Sequence, residues 1–262
     1  MAEQAKNQTS KDGVDNLVST LTQEDRSVRL ILVAARDEAD RIGLTIAGLR
    51  SVFPIAHVVV ADDDSRDDTA DIARLAGAQV VQAGEHLGKG GAMSLAAAGA
   101  NWDQSDQSDA DGRPVVLVCD ADLGDSASRL IPLTRTVADG GADLAVAIFA
   151  SRVGGGFGIA LRFARWAINE RCGFMATAPI SGQRALSLAA FDVVTPFSKG
   201  FGMEIGMTIA AVHAGLRVKE VEVDLAHRAT SRTLRGFIHR GRQLLDFVRV
   251  FHATRQSAAS LK

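Results

Sequence analysis

The chain has 262 residues, 47% hydrophobic and 23% charged, with 29 Lys+Arg against 31 Asp+Glu and a formal net charge of −2. These globular values exclude global disorder, and no apolar run reaches the roughly 18 residues that a spanning helix needs. Cys119 and Cys172 have neither CxxC nor zinc-type spacing, and the polar N-terminus lacks a secretory pattern, so a reducing cytoplasm is expected.

Residues 1–27 are polar and aperiodic and read as a tail. The apolar run over 29–35 has strand length, and helical spacing follows over 38–52. A second strand over 57–61 ends in Asp62, Asp63 and Asp64, with a helix expected over 69–76. A short strand over 78–82 leads to Gly88, Lys89, Gly90 and Gly91, which open an alanine-rich helix over 88–100. The stretch 102–112, rich in aspartate and without large aliphatic residues, reads as a solvated loop. A buried strand over 114–119 ends in Asp120, Ala121 and Asp122, and a helix over 126–138 and a strand over 143–150 follow. Glycines 154–156 mark a flexible connection to a helix over 157–170. Helical spacing returns over 203–214, an alternating strand covers 217–223, and 234–254 reads as a long amphipathic helix. Strands alternating with helices predict an α/β fold with a mainly parallel sheet, whose ligands bind beyond the carboxyl ends of the strands. Both aspartate clusters fall at such ends.

Each cluster admits a chemical and a plain reading. Asp120 and Asp122, at i and i+2 after a buried strand, can converge on one divalent cation through oxygen ligands, or form a solvated acidic turn with Asp122 as a helix cap. Asp62 and Asp63 can accept from a base N–H or a ribose hydroxyl, or build a turn. The glycine-rich opening around Lys89 favours an anion, yet it matches neither GxxxxGK[ST] nor GxGxxG, which counts against a P-loop kinase and a nicotinamide dehydrogenase. His227 could be a further metal ligand, with Arg228, Arg232 and Arg235 holding phosphates, or the segment could be a basic surface loop. Glu204, in a largely apolar segment, could be a general base or an acid satisfied by first-turn amides.

From 227 to 262 there are eight basic residues and one acid, Asp246, on an otherwise acidic chain. The apolar face of this segment (Phe237, Leu244, Phe247, Phe251) either packs on the body or lies on an anionic membrane surface. No recognised nucleic-acid motif accompanies the charge, so nucleic acid is not an expected partner.

The order of these motifs is more telling than any one of them. Residues 33–38, ending in Glu38, resemble the "PAxNE" segment of family 2 glycosyltransferases. Residues 60–69 resemble their "VDDGSxDxT", 88–93 their "GKGxAl", and 120–123 their metal-binding "DADL". Residues 200–205 with 215–223 resemble the "GfxxEixl…GyxvxEvpv" stretch of dolichyl-phosphate-mannose-synthase-like members. His227 and Arg228 are similar to a His-Arg pair of the glucosyl-3-phosphoglycerate synthase group. The resemblance spans about residues 28–235.

This resemblance implies a GT-A, Rossmann-like, mixed and mainly parallel sheet flanked by helices. The implied division is a tail over 1–27, a GT-A domain over 28–233 and a basic C-terminal helix over 234–262. It implies a nucleotide-diphosphate sugar donor, a UDP-sugar favoured, Mg²⁺ or Mn²⁺, and a lipid-phosphate or other anionic acceptor. By position, Ala35 and Glu38 would line the nucleoside pocket, Asp62 or Asp63 would meet the base or ribose, and Lys89 would lie near the base. Asp120 would flank the site, Asp122 with His227 would hold the metal, and Arg228 and Arg232 would meet phosphate. Glu204 is the candidate base for a hydroxyl acceptor. The chain departs from the motifs at Ala34, Asp37 and Asp64, and Gly124 stands where the lipid-linked synthases often have glutamine, which shifts weight to His227. The alternatives are a glucosyl-3-phosphoglycerate-synthase-like enzyme, a sugar nucleotidyltransferase releasing pyrophosphate, and a non-catalytic sugar-nucleotide sensor. Membrane contact would be peripheral, on the inner face, and a homodimer is left open.

Overall fold

Eight consecutive residues, Val28–Ala35, form strand β1 and are nearly all buried. An unbroken apolar strand of this kind requires cover on both faces of its sheet, and both covers are present. The computed structural model describes residues 25–102, 112–149, 158–199 and 202–224. In chain order these form β1, α1 (Ile42–Val52), β2 (His57–Asp62), α2 (Thr69–Leu75), β3 (Gln79–Gln82), α3 (Lys89–Gly99) and β4 (Val115–Asp120). A 3-10 segment (Ala121–Leu130), α4 (Ile131–Ala138), β5 (Leu144–Phe149) and α5 (Gly158–Cys172) follow. The described part closes with β6 (Arg184–Ser187), α6 (Leu188–Val194), α7 (Met203–His213) and β7 (Val218–Val223).

The seven strands lie in one sheet in the order β3-β2-β1-β4-β6-β5-β7. β6 runs antiparallel to both β4 and β5, while the other neighbouring pairs are parallel. On one face Ile31 and Val33 pack with Ile42, Ile46 and Leu49 of α1 and with Leu133 and Val137 of α4. On the other, Leu30 and Leu32 pack with Met93 of α3, Phe191 of α6 and Met203 and Met207 of α7. Each such side chain removed from water contributes about 1.5–3 kcal/mol. α5 lies outside α7, joined through Ala164, Ile168, Ile205 and Ile209.

The observed elements follow the expected ones with four differences. The helix expected from residue 38 starts at Ile42, because Asp37 has φ 54° and the amides of Asp37, Glu38 and Ala39 are taken by Ser65, Thr69 and Asp67. The helix expected over 126–138 is a 3-10 segment from Ala121, broken at Gly124 (φ 54°, ψ −137°), and becomes α-helical only at Ile131. The last residues of the expected tail belong to the body. Asp25 is fully buried, its amide donates to Val52 O at 2.7 Å, and its Oδ2 accepts from Thr134 Oγ1 at 2.5 Å. β6 and α6 lie in a stretch to which the sequence assigned no element. The C-terminal helix expected over 234–254, the loop near 103–111 and the glycines 154–156 lie outside the described residues.

Candidate active site

The register of the central strands assembles the site. At the carboxyl end of β1, Ala34 pairs with Asp120 of β4 and Ala35 with Asp62 of β2. The two aspartates that close these apolar runs therefore flank β1 at the rim of the sheet, where an open α/β sheet binds ligands. Ala35 is small and buried there.

Lys89, in the first turn of α3, reaches this rim. Its Nζ lies 2.5 Å from Asp120 Oδ1 and 2.8 Å from Glu204 Oε1, and all three side chains are largely buried. Burial works against the ammonium, but Asp120 and then Glu204 outweigh it and hold it protonated beyond its ordinary range. Lys89 thus joins α3 and α7 at the end of β4. Asp120 Oδ2 in turn accepts from Gln183 Nε2 at 2.8 Å. Gln183 and its neighbour Gly182 arrive from the segment before β6, and a Cβ on Gly182 would lie 2.3 Å from Asp120 Oδ2 and 2.7 Å from Lys89 Nζ. Glycine lets the chain pass this close without displacing the end of either side chain.

That segment is held by Arg184, which is fully buried in β6. Its guanidinium donates to Ser181 O at 2.9 Å, Pro179 O at 3.3 Å and Thr208 Oγ1 at 2.9 Å. Burial lowers its pKa to about 10 against the opposing fields of Glu204 and Glu220. Buried charges of both signs thus lie together beneath the rim, as the low dielectric there requires.

On the α1 side the site is acidic. Glu38 is half-buried and its pKa is raised to about 7, first by burial, then by Asp122 and Asp40, with Arg41 opposing. Burial is the largest part of this rise, and the neighbouring carboxylates add to it. Carboxylates are hard oxygen donors of the kind Mg²⁺ and Mn²⁺ take. Among the described residues no group of three His, Cys, Asp or Glu is already arranged around a metal position.

The aspartates after β2 have local partners. Asp62 is fully buried, accepts from Ser65 N and Oγ, and accepts from Gln82 Nε2 at 3.2 Å. Asp63 Oδ1 accepts from the amides of Leu87 and Gly88 at 2.7 and 3.1 Å, and its Oδ2 lies 2.8 Å from His86 Nδ1. Asp63 therefore occupies amides at the start of α3 that the sequence offers to an anion. Gly90 has a packing reason as well, since a Cβ there would stand 1.8 Å from Ser198 O.

The structure thus brings Lys89, Asp120 and Glu204 into direct contact, places Glu38 and Asp122 beside them, and puts Ala35, Asp62 and Asp63 on the adjoining rim. His227, Arg228 and Arg232 lie outside the described residues. Sequence reasoning missed Gln183 and Arg184, which fall in a stretch without periodicity. The one available signal was a polar pair followed by Ala185 and Leu186.

A mainly parallel sheet with carboxylates at the carboxyl ends of its central strands makes this an open α/β fold with its site at the strand ends. The chain belongs to glycosyl transferase family 2, whose model matches residues 30–184, from β1 through the first residue of β6. It is a glycosyltransferase. An undecaprenyl-phosphate mannosyltransferase of Micrococcus luteus is 28% identical over 212 residues, 76% of this chain and 84% of the relative. A polyprenol monophosphomannose synthase of Mycolicibacterium smegmatis is 26% identical over 213 residues, 76% of this chain and 77% of the relative. The same fold is seen in glucosyl-3-phosphoglycerate synthase from Mycobacterium tuberculosis solved with phosphoglyceric acid, at a TM-score of 0.68 and 22% identity over 87% of this chain and 80% of that one. A complex of that synthase with Mn²⁺, uridine-diphosphate-glucose and phosphoglyceric acid superposes with a TM-score of 0.66 and 21% identity, with the same coverage of both chains.

Proposed function

We propose that this chain transfers a sugar from a nucleotide-diphosphate sugar to a phosphate-bearing acceptor, with a polyprenyl-type lipid phosphate ahead of a soluble phosphoglycerate. The observation that carries the acceptor class is the state of Glu204. The candidate base is 5% exposed and held by Lys89 at 2.8 Å, with Arg184 adding to the positive field around it. A carboxylate buried and already bound to an ammonium is not placed to take a proton from an incoming hydroxyl. A hydroxyl acceptor needs a base, whereas a phosphate acceptor is already an anion and a nucleophile. Both curated relatives are named for polyprenyl phosphate products or acceptors, which favours the lipid.

In this reading Asp122, with Asp120 and His227, holds Mg²⁺ or Mn²⁺. Such a cation neutralises the diphosphate leaving group when bound. Lys89 fixes the direction of Asp120, and Glu204 keeps Lys89 in place. Ala35 leaves room beside Asp62 for the nucleoside, and Glu38 and Asp63 line the same rim. Arg228 and Arg232 meet the phosphates of donor or acceptor. The basic segment 234–262 brings the chain to an anionic membrane surface, where a lipid acceptor resides; among the described residues no helix is long and apolar enough to cross a membrane.

Thermal melts with UDP, GDP, UDP-glucose and GDP-mannose, each with Mn²⁺ or EDTA, test the donor side. A ligand at about 100 times its Kd adds roughly 2.7 kcal/mol, enough to move a melt by several degrees. A Mn²⁺-dependent rise with one base is expected. No rise with any of them contradicts the donor assignment.

A further inference from the structure

The turn that carries Asp122 is held from outside by one side chain of α1. Thr45 is fully buried, and its hydroxyl makes two bonds across the interface. It donates to Ala121 O at 2.7 Å and accepts from Gly124 N at 2.8 Å. One hydroxyl therefore joins the carbonyl just before Asp122 to the amide two residues after it. A threonine inside a helix usually returns its hydroxyl to the carbonyl four residues back; this one is directed away from its own helix. Arg41, one turn earlier on α1, adds a contact to Asp122 O at 3.4 Å. The turn needs such support, because Gly124 sits at φ 54° and ψ −137° and breaks the 3-10 segment directly after Leu123. Gly48, one turn beyond Thr45 in α1, faces the same turn, where a Cβ would meet Gly124 O at 3.4 Å, an ordinary contact.

We propose that Thr45 is a positioning residue for the metal site, its hydroxyl setting the backbone on both sides of Asp122 so that the carboxylate faces the cation. The inference rests on the reading that Asp122 holds that cation. Partners of this kind, one shell behind the ligand, typically change metal affinity by roughly ten- to a hundredfold when removed.

The test is a Mn²⁺ titration followed by electron paramagnetic resonance with saturating UDP or GDP, on the wild-type chain, Thr45→Val, Thr45→Ser, Thr45→Ala and Asp122→Asn. Thr45→Val keeps the shape and removes the hydroxyl, so it should weaken Mn²⁺ roughly ten- to a hundredfold. Its affinity for nucleotide without metal should stay at the wild-type value. Thr45→Ser restores the hydroxyl and should return Mn²⁺ affinity to near wild type. A folded Thr45→Val that binds Mn²⁺ as the wild type does overturns the inference. If Thr45→Val does not fold, the serine and alanine variants decide: equal losses in both mean that the methyl, not the hydroxyl, matters, and the inference fails. Asp122→Asn separates the two claims. If it abolishes Mn²⁺ binding while Thr45→Val does not, only the role of Thr45 falls. If it leaves Mn²⁺ binding intact, the metal assignment falls and takes this inference with it.

Discussion

Lys89 and Glu204 meet at 2.8 Å from opposite sides of the rim, one from the first turn of α3 and the other from the first turn of α7. Asp120 completes the group at 2.5 Å. Two helices are thereby bound to the carboxyl end of β4 through one ammonium.

Removing that ammonium leaves two carboxylates facing each other with little water. Lys89→Met is expected to lower stability by about 3 kcal/mol, the scale for breaking a buried ion pair from one side. Adding Glu204→Gln to it should recover part of the loss. Urea unfolding of the two single variants and the double variant measures the coupling, and strictly additive losses would contradict the pairing.

Gly182→Ala introduces a Cβ at 2.3 Å from Asp120 Oδ2 and 2.7 Å from Lys89 Nζ. The ends of both side chains must move, so the fold should persist with a loss of about 1–3 kcal/mol. Mn²⁺-dependent nucleotide binding should fall by at least about tenfold, by the sensitivity of metal sites to their supporting groups. Isothermal titration checks this, and an unchanged affinity would show that the Lys89–Asp120 geometry is not needed for the donor.

Glu38 gives a pH test. Its pKa rises from an ordinary 4.5 to about 7 in the folded chain, so folding takes up a proton between those values. Its contribution to stability is complete below the unfolded value and is lost as pH rises through about 7. Glu38→Gln stays neutral throughout. Without metal, the stability of Glu38→Gln relative to wild type should therefore rise between about pH 5 and pH 8. Urea midpoints in EDTA at both pH values measure this, and a constant difference would mean that Glu38 ionises normally.

The parts of this fold legible in the sequence are those fixed by local pattern. β1, β2 and β4 are apolar runs, β2 and β4 closed by aspartate, and the register places Asp62 and Asp120 on either side of the end of β1. β6 was hidden because it has four residues and opens with Arg184, a charge that reads as surface and is in fact fully buried. Lys89 and Glu204 were each legible as candidates, but their contact is a product of helix packing that no spacing encodes. The same holds for Asp63, whose local acidic pattern gives no sign that its carboxylate closes on the amides of Leu87 and Gly88.

The basic segment 234–262 supplies a fourth prediction. The full chain should sediment with anionic vesicles at low salt, and a chain ending after Arg235 should sediment less, because electrostatic attraction falls within a Debye length. Equal sedimentation of the two chains would remove this segment from the account.

Sugar transfer to a phosphate acceptor is read from acceptor-dependent release of nucleoside diphosphate. The chain would be incubated with GDP-mannose or UDP-glucose and Mn²⁺, with a polyprenyl phosphate, with 3-phosphoglycerate, or with no acceptor. Release of GDP or UDP is expected to depend on the polyprenyl phosphate, to be abolished by EDTA and to be absent in Asp122→Ala. Release of pyrophosphate instead, or the same slow donor hydrolysis with and without any phosphate acceptor, would contradict it.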